Sequence, residues 1–409
     1  MTVRTKLIAL LALSALAVAS GRVALAAVFN PETFTLQNGL QVVIVPNHRA
    51  PVAKMIIYYK VGAMDEPAGK SGLAHFFEHL MFKGTKNLAP GEFSSIVARN
   101  GGSDNAFTSQ DYTGYVTSVA ADRLELILKL EADRMTGLRL TPDDIEPERK
   151  VVLEERLSRV ENNPGAQLAE QAAAALYANH PYRIPIIGWQ HEIEGLTQSD
   201  LMNFYRTWYA PNNAVIVISG DVTAKSIMPI VERHFGALSK KDLPARTVWR
   251  EPPRSAERLI TLSHHRVRQP SWSRRFLAPS HGQGDEKHQI YALEVLTEIL
   301  SGGTTGRFYR RLVVEKGLAA HAGAWYSGDN RGPGTFGFYG SPRHGHTLDE
   351  IEAAIEEEID KLLADGVSEA EVRTAIERMQ TEVVFARDSL DGPPRILGNA
   401  LMSGQKLAD

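Results

Sequence analysis

The order of strand-like and helix-like stretches predicts a chain of mixed α and β class, folded in two halves. Runs rich in β-branched and aromatic residues, such as 52–61 and 213–219, are interspersed with stretches of helical spacing, such as 124–134. A charged stretch over 240–258, with three prolines and no apolar period, separates the two halves. The order in the second half, strand, helix, strands and then helices, roughly echoes the order in the first. A length of 409 residues also suits two or more domains rather than one core.

Composition narrows the chemistry. Hydrophobic residues at 43% and charged residues at 23% are ordinary for a globular protein. A net charge of −3 gives no reason to expect a nucleic-acid partner. The chain has no cysteine, which excludes thiol catalysis, disulfides and thiolate metal sites. Any metal must therefore be held by nitrogen and oxygen. Residues 1–26 read as a secretory signal: Arg4 and Lys6, an apolar run over 7–19, then small residues ending at Ala24-Leu25-Ala26. Cleavage is expected before Ala27, giving an exported, periplasmic protein with no membrane attachment; a retained N-terminal anchor is the alternative. No other stretch is apolar enough to span a bilayer.

In the first half, 27–240, residues 34–46 are strand-like around an Asn38-Gly39 turn, and 52–61 form a second strand. A polar, glycine-containing loop over 62–72 leads into a helix that stops near Gly84. A further helix over 92–100 ends at Gly101-Gly102, and 103–117 read as strands with an exposed edge. Helices follow over 124–134, 145–160 (capped from Thr141), 167–177 and 197–205, then a strand over 213–219 and a helix over 224–235. Residues 241–257 are the linker, and 258–409 the second domain. There, strands are expected near 258–262, 271–277, 319–326 and 335–340, with helices over 286–300, 306–315, 348–365 and 368–386.

The chemistry concentrates in His75-Phe76-Phe77-Glu78-His79. On a helix, at about 100° per residue, His75, Glu78 and His79 share one face while both phenylalanines turn away. Two imidazoles one turn apart can bind a zinc ion, and a carboxylate beside them can take a proton from water. Two histidines leave zinc short of the three protein ligands of a catalytic site. The 145–160 helix offers Glu148, Glu154 and Glu155. Glu148 and Glu155 face the same way but stand about 10 Å apart along the axis, so one can ligate while the other holds a ligand in place. Glu154 lies off that face.

These residues resemble the pitrilysin-type (inverzincin) zinc peptidases, the family of insulin-degrading enzyme and the mitochondrial processing peptidase. The matching residues are His75-x-x-Glu78-His79 and Glu148-Arg149-Lys150-Val151-Val152-Leu153-Glu154-Glu155, together with Gly101-Gly102 and Asn105-Ala106-Phe107-Thr108 between them. His180-Pro181-Tyr182, Gly188, Tyr209-x-Pro211-Asn212-Asn213 and Gly220-Asp221 also fit. The resemblance implies an α+β fold of two homologous domains, each a mixed sheet flanked by helices, together forming half of a clamshell. It implies one Zn²⁺ per chain on His75, His79 and Glu155, with Glu148 supporting from behind and Glu78 as catalytic base. Asn105, Ala106, Phe107 and Thr108 become the edge strand that receives an extended peptide. Backbone groups near Asn105 and Ala106 are expected to stabilise the oxyanion.

The family pattern breaks in two places. Catalytically complete members carry an arginine and a tyrosine seven residues apart near a Gly-Leu-Ala stretch; aligning Gly317-Leu318-Ala319 puts Val313 and Ala320 there. A homologous subunit without zinc is therefore expected to supply that pair in a heterodimer, with a homodimer as second choice. The family also continues with a last helix and strand beyond the point where this chain stops. A non-catalytic binding or assembly subunit of the same fold is the alternative function.

Overall fold

The computed structural model describes residues 29–407 except 284–286, so the expected signal peptide lies outside the described residues. The described residues divide into two compact units, one of residues 29–262 together with Ala386–Met402, the other of Ser263–Phe385 with Ser403–Gln405.

The first unit is built on a six-stranded sheet of β1 (Glu32–Thr35), β2 (Gln41–Pro46), β3 (Val52–Tyr59), β4 (Ser103–Thr108), β5 (Thr113–Ala120) and β6 (Ala214–Gly220). Its order is β1-β2-β6-β3-β5-β4. β2 and β6 run parallel and every other pair is antiparallel, so the sheet is mixed. β4 is an outer strand, paired on one side only, with Asn105 opposite Val116. The helices are α1 (Leu73–Leu80), α2 (Glu92–Arg99), α3 (Leu124–Gly137), α4 (Pro142–Arg156), α5 (Pro164–Leu176), α6 (Gln190–Gly195), α7 (Gln198–Trp208) and α8 (Ala224–Phe235).

Strand period 2 sorts the apolar residues onto both faces. Val42, Ile44, Met55, Ile57, Tyr59, Ile216 and Ile218 join one core with Phe76, Phe77, Leu128, Leu201 and Val231 from the helices. The alternate residues Val43, Ile56, Tyr58, Val215 and Val217 are equally buried, on the opposite face. That face is covered by a helix from the far end of the chain, Gly392–Met402. Its Pro394 carbonyl accepts from the Tyr58 hydroxyl at 3.1 Å, and a Cβ on Gly398 would stand 2.2 Å from the Tyr58 ring. A domain running unbroken over 258–409 is therefore corrected, because the β3–β6 surface needs the 386–402 segment to exclude water.

The 240–258 stretch has no regular secondary structure and lies along the first unit. Lys241 donates to the Tyr209 carbonyl at 2.8 Å, and Glu251 accepts the backbone N–H groups of Ala178 and Asn179 at 2.7 and 2.8 Å.

The second unit contains a three-stranded antiparallel sheet, β7 (Trp272–Ala278), β8 (Ala319–Ser327) and β9 (Gly334–Pro342), in the order β7-β9-β8. This repeats the β3-β5-β4 arrangement of the first sheet, which gives the echo seen in the sequence a structural form. Phe336, Phe338 and Phe308 pack with Ile351 and Ile355 beneath it. The helices of this unit are α9 (Lys287–Ser301), α10 (Leu348–Asp365) and most of α11 (Glu369–Asp388); the Gly392–Met402 helix of the first unit is α12. Residues 258–262, expected to be a strand, form none: no neighbouring strand satisfies their backbone, and Leu259 is 91% exposed. The helix expected over 306–315 is a π-helical coil, Tyr309–Glu315. Among the described residues no helix is long and apolar enough to cross a membrane.

Candidate metal centre

α1 starts on Gly72, whose φ of +83° is open to glycine at little cost. The first N–H groups of a helix lack internal partners. Here Glu66 accepts from Gly72 and Ala74 at 3.1 and 2.7 Å, and Glu192 accepts from Ser71 at 2.6 Å. Burial pushes the Glu66 carboxyl well above its usual range. Phe76 and Phe77 anchor the helix in the core, Phe77 stacking on Tyr205 at 5.3 Å. The opposite face presents His75, Glu78 and His79.

α4 crosses α1 and brings Glu155 to both histidines. Glu155 Oε2 lies 3.6 Å from His75 Nε2 and 3.3 Å from His79 Nε2. The three ligand atoms stand within 4.8 Å of one another, the one such His/Asp/Glu group of three or more among the described residues. Zinc bonds of 2.0–2.2 Å in tetrahedral geometry imply ligand-to-ligand edges of about 3.4 Å, which both measured distances bracket. The donor set is two imidazole nitrogens and a carboxylate oxygen, so the residues present fit a zinc ion.

Glu148 stands behind the cluster. Its Oε1 meets His79 Nδ1 at 2.8 Å and its Oε2 meets Lys83 Nζ at 2.6 Å. The His79 hydrogen bond, reinforced by Lys83 against the opposing effect of burial, lowers the Glu148 carboxyl to about 2. A carboxylate on Nδ1 leaves Nε2 as the atom turned to the cluster. His79 is shifted upward: burial alone lowers it, but Glu148, Glu155 and Glu78 together outweigh that. His75 differs, lowered to about 3 by burial and by the neighbouring His79 and Arg159 charges. Its Nδ1 is buried without a hydrogen-bond partner among the described residues. Glu155 Oε1 pairs with Arg159 at 2.9 Å, but Arg159 is exposed and such a pair contributes little. Directly after Arg156 the helix opens into a π-helical turn, Leu157–Glu161.

Glu78 is raised by burial, partly offset by a hydrogen bond from the Thr108 hydroxyl to its Oε2. The four residues expected to form a peptide-receiving strand thus divide. All lie on β4, but Thr108 alone among them hydrogen-bonds to Glu78. Phe107 turns to the other face, lying against Tyr58, Tyr112 and the Arg395 guanidinium. The Ala106 N–H is met by Asn105 Oδ1 at 2.8 Å.

The contacts of Glu66, Glu192 and Lys83 were not foreseen. Glu155 and Arg159, four apart on a helix, carried a local signal; Glu66 and Glu192 reach α1 from loops or other helices and carried none. In the second unit Val313 is buried in the core and Ala320 is exposed. Arg310 and Arg311 both pair with Glu315, and the Tyr326 hydroxyl donates to the Pro279 carbonyl.

Comparison with known proteins identifies the family. Residues 41–189 match the family model described as insulinase (peptidase family M16), and residues 195–379 match the peptidase M16 inactive domain. The zinc protease PqqE of Helicobacter pylori is 36% identical over 71% of this chain, and the match spans 65% of that protein, just under two thirds of its length. A protein of Mycobacterium leprae carried as an uncharacterized zinc protease is 30% identical over 83% of this chain and 75% of its own. The crystal structure of a protease from Helicobacter pylori superposes with a TM-score of 0.84 at 30% identity, covering 92% of this chain and 90% of the other. The fold, the His-His-Glu cluster and these relatives together establish that the chain belongs to the M16, insulinase-like peptidase family.

Proposed function

We propose that this chain is a zinc metalloendopeptidase that cleaves peptides or unfolded polypeptides, and that it is the zinc-bearing subunit of a heterodimer. The observation that carries the reading is the meeting of His75 Nε2, His79 Nε2 and Glu155 Oε2 beside a carboxylate, Glu78, that is not one of the three. A zinc ion bound there would polarise the scissile carbonyl and lower the pKa of the attacking water. Glu78 Oε2 is engaged by Thr108, which leaves Oε1 to accept the water's proton and later deliver it to the leaving amine. Burial raises Glu78 toward the range where a carboxyl can do both. An extended peptide would add to the outer edge of β4 through main-chain hydrogen bonds, its carbonyl displacing the Asn105 carboxamide from the Ala106 N–H. Recognition of backbone makes sequence preference broad.

The heterodimer rests on Val313 and Ala320, neither of which can donate a hydrogen bond to a substrate from its side chain. A homologous subunit would bring the missing arginine and tyrosine when two such chains close around a chamber. The same observation favours a second reading, a non-catalytic subunit of this family, against which stands the intact set of His75, Glu78, His79 and Glu155. The basic, then apolar, then small-residue pattern of residues 1–26 supports export to the periplasm.

Glu78→Gln tests the proposal. It should retain zinc and lose peptidase activity by about 10²-fold or more, the usual loss for a proton-transfer group. Full activity in that variant would remove Glu78 from the mechanism; a wild-type chain that holds zinc yet cleaves no peptide, with or without its partner, would favour the non-catalytic reading.

A further inference from the structure

The helices that carry the clustered side chains are braced by a third segment. Arg156, the residue after Glu155, is buried at 6% exposure. Its Nη1 donates to the Gly188 carbonyl at 2.8 Å and to Glu170 Oε2 at 2.9 Å, and Nη2 donates to Glu170 Oε1 at 3.2 Å. About two turns earlier on α4, Arg149 donates through Nη2 to the Leu196 carbonyl at 2.7 Å and through Nη1 to the Ile193 carbonyl. α4 therefore grips both ends of residues 188–196.

The same segment holds the start of α1. The Trp189 N–H donates to Ser71 Oγ at 2.8 Å, and Glu192 accepts from the Ser71 N–H at 2.6 Å. Gly72 and Gly188, with φ of +83° and +87°, lie back to back: a Cβ on Gly188 would stand 2.5 Å from Gly72 Cα, and one on Gly72 would stand 2.6 Å from the Ile187 carbonyl oxygen. Backbone touches backbone there, so a displacement of Gly188 is passed on to Gly72, the residue that caps α1.

We propose that Arg156 is a positioning residue: acting through Gly188, it sets the separation between α4 and the start of α1, and so the span from Glu155 to His75 and His79. The inference rests on those three side chains holding the metal. A metal site tolerates ligand errors of only about 0.2 Å. Apolar packing alone fixes helix spacing less tightly than a planar guanidinium tied to Glu170, to the Gly188 carbonyl and, through Nε at 2.9 Å, to Glu161. A buried arginine–glutamate pair is also a poor source of net stability, because desolvation offsets its attraction. Its role is thus geometric. Lysine cannot substitute, since a single ammonium cannot reproduce the fork.

The test compares the full-length wild type with Arg156→Lys and Glu170→Gln by zinc affinity in competition with a chelator, by the absorption spectrum of the Co²⁺-substituted protein, and by far-ultraviolet circular dichroism. Both variants should keep the wild-type dichroism, lose zinc affinity about 10- to 100-fold, as substitutions behind metal ligands do, and show an altered Co²⁺ spectrum. Folded variants with wild-type zinc affinity and spectrum would overturn the inference. Should Arg156→Lys not fold, Glu170→Gln, which keeps shape and volume, decides alone. A wild type that binds no Zn²⁺ would instead overturn the metal reading, and this inference with it.

Discussion

At the scale of single residues, burial decides how His75 and His180 behave, whereas at His79 the neighbouring carboxylates outweigh it. His180 shows it away from the metal cluster. Its Nδ1 accepts the Tyr182 N–H at 3.2 Å and its ring packs on Tyr177 and Tyr182. Burial lowers its pKa from 6.5 to about 4, with Glu251 opposing. Between those values the unfolded chain binds a proton that the folded chain refuses. The contribution of His180 is therefore full above pH 6.5 and falls as the pH drops toward 4. The denaturation midpoint of the wild type should fall more steeply through that window than that of His180→Gln, and equal slopes would contradict the burial argument. The choice of Glu155 over Glu148 was also a single-residue question. Helical spacing alone left the two equivalent, and the family resemblance pointed to Glu155. The structure puts Glu155 near both Nε2 atoms and Glu148 on His79 Nδ1.

Among the elements, β4 joins two roles, since the strand proposed to receive substrate also steadies the proposed base. Thr108→Val should lower kcat about tenfold or more, the scale of a hydrogen bond to a charged group, with KM changed little. Thr108→Ser should restore kcat, and a change confined to KM would assign Thr108 to substrate binding alone. Much of this scale was legible in the sequence. The residues 224–235 and 348–365 fold as helices with the bounds expected, because periodicity, caps and flanking breakers agree there. The sequence read 103–117 as strands with an exposed edge, but which of the β4 side chains turns toward Glu78 depends on contacts distant in sequence. α12 was missed because Pro393-Pro394 reads as a breaker. Both prolines fall in the first turn, where no internal N–H bond is lost. The 258–262 stretch failed in the opposite sense: strand-like letters without a partner strand form no ladder.

For the whole molecule, the proposed zinc ion would couple folding to activity. Any ligand that binds the folded chain alone stabilises it in proportion to the logarithm of its concentration over Kd. The absence of hydrogen-bonding side chains at Val313 and Ala320 predicts that the purified chain cleaves peptides slowly. Adding a homologous subunit that carries the arginine and tyrosine should raise kcat at least about tenfold, the scale set by a lost transition-state donor. Full activity from the single chain, unchanged by such a subunit, would refute the division of labour.

Zinc stoichiometry measured by mass spectrometry on wild type, Glu154→Gln and Glu155→Gln tests the central claim most directly. One zinc per chain in the wild type and in Glu154→Gln, with most of it lost from Glu155→Gln, is the predicted result. A zinc-free wild type, or equal zinc in the two variants, would contradict the account.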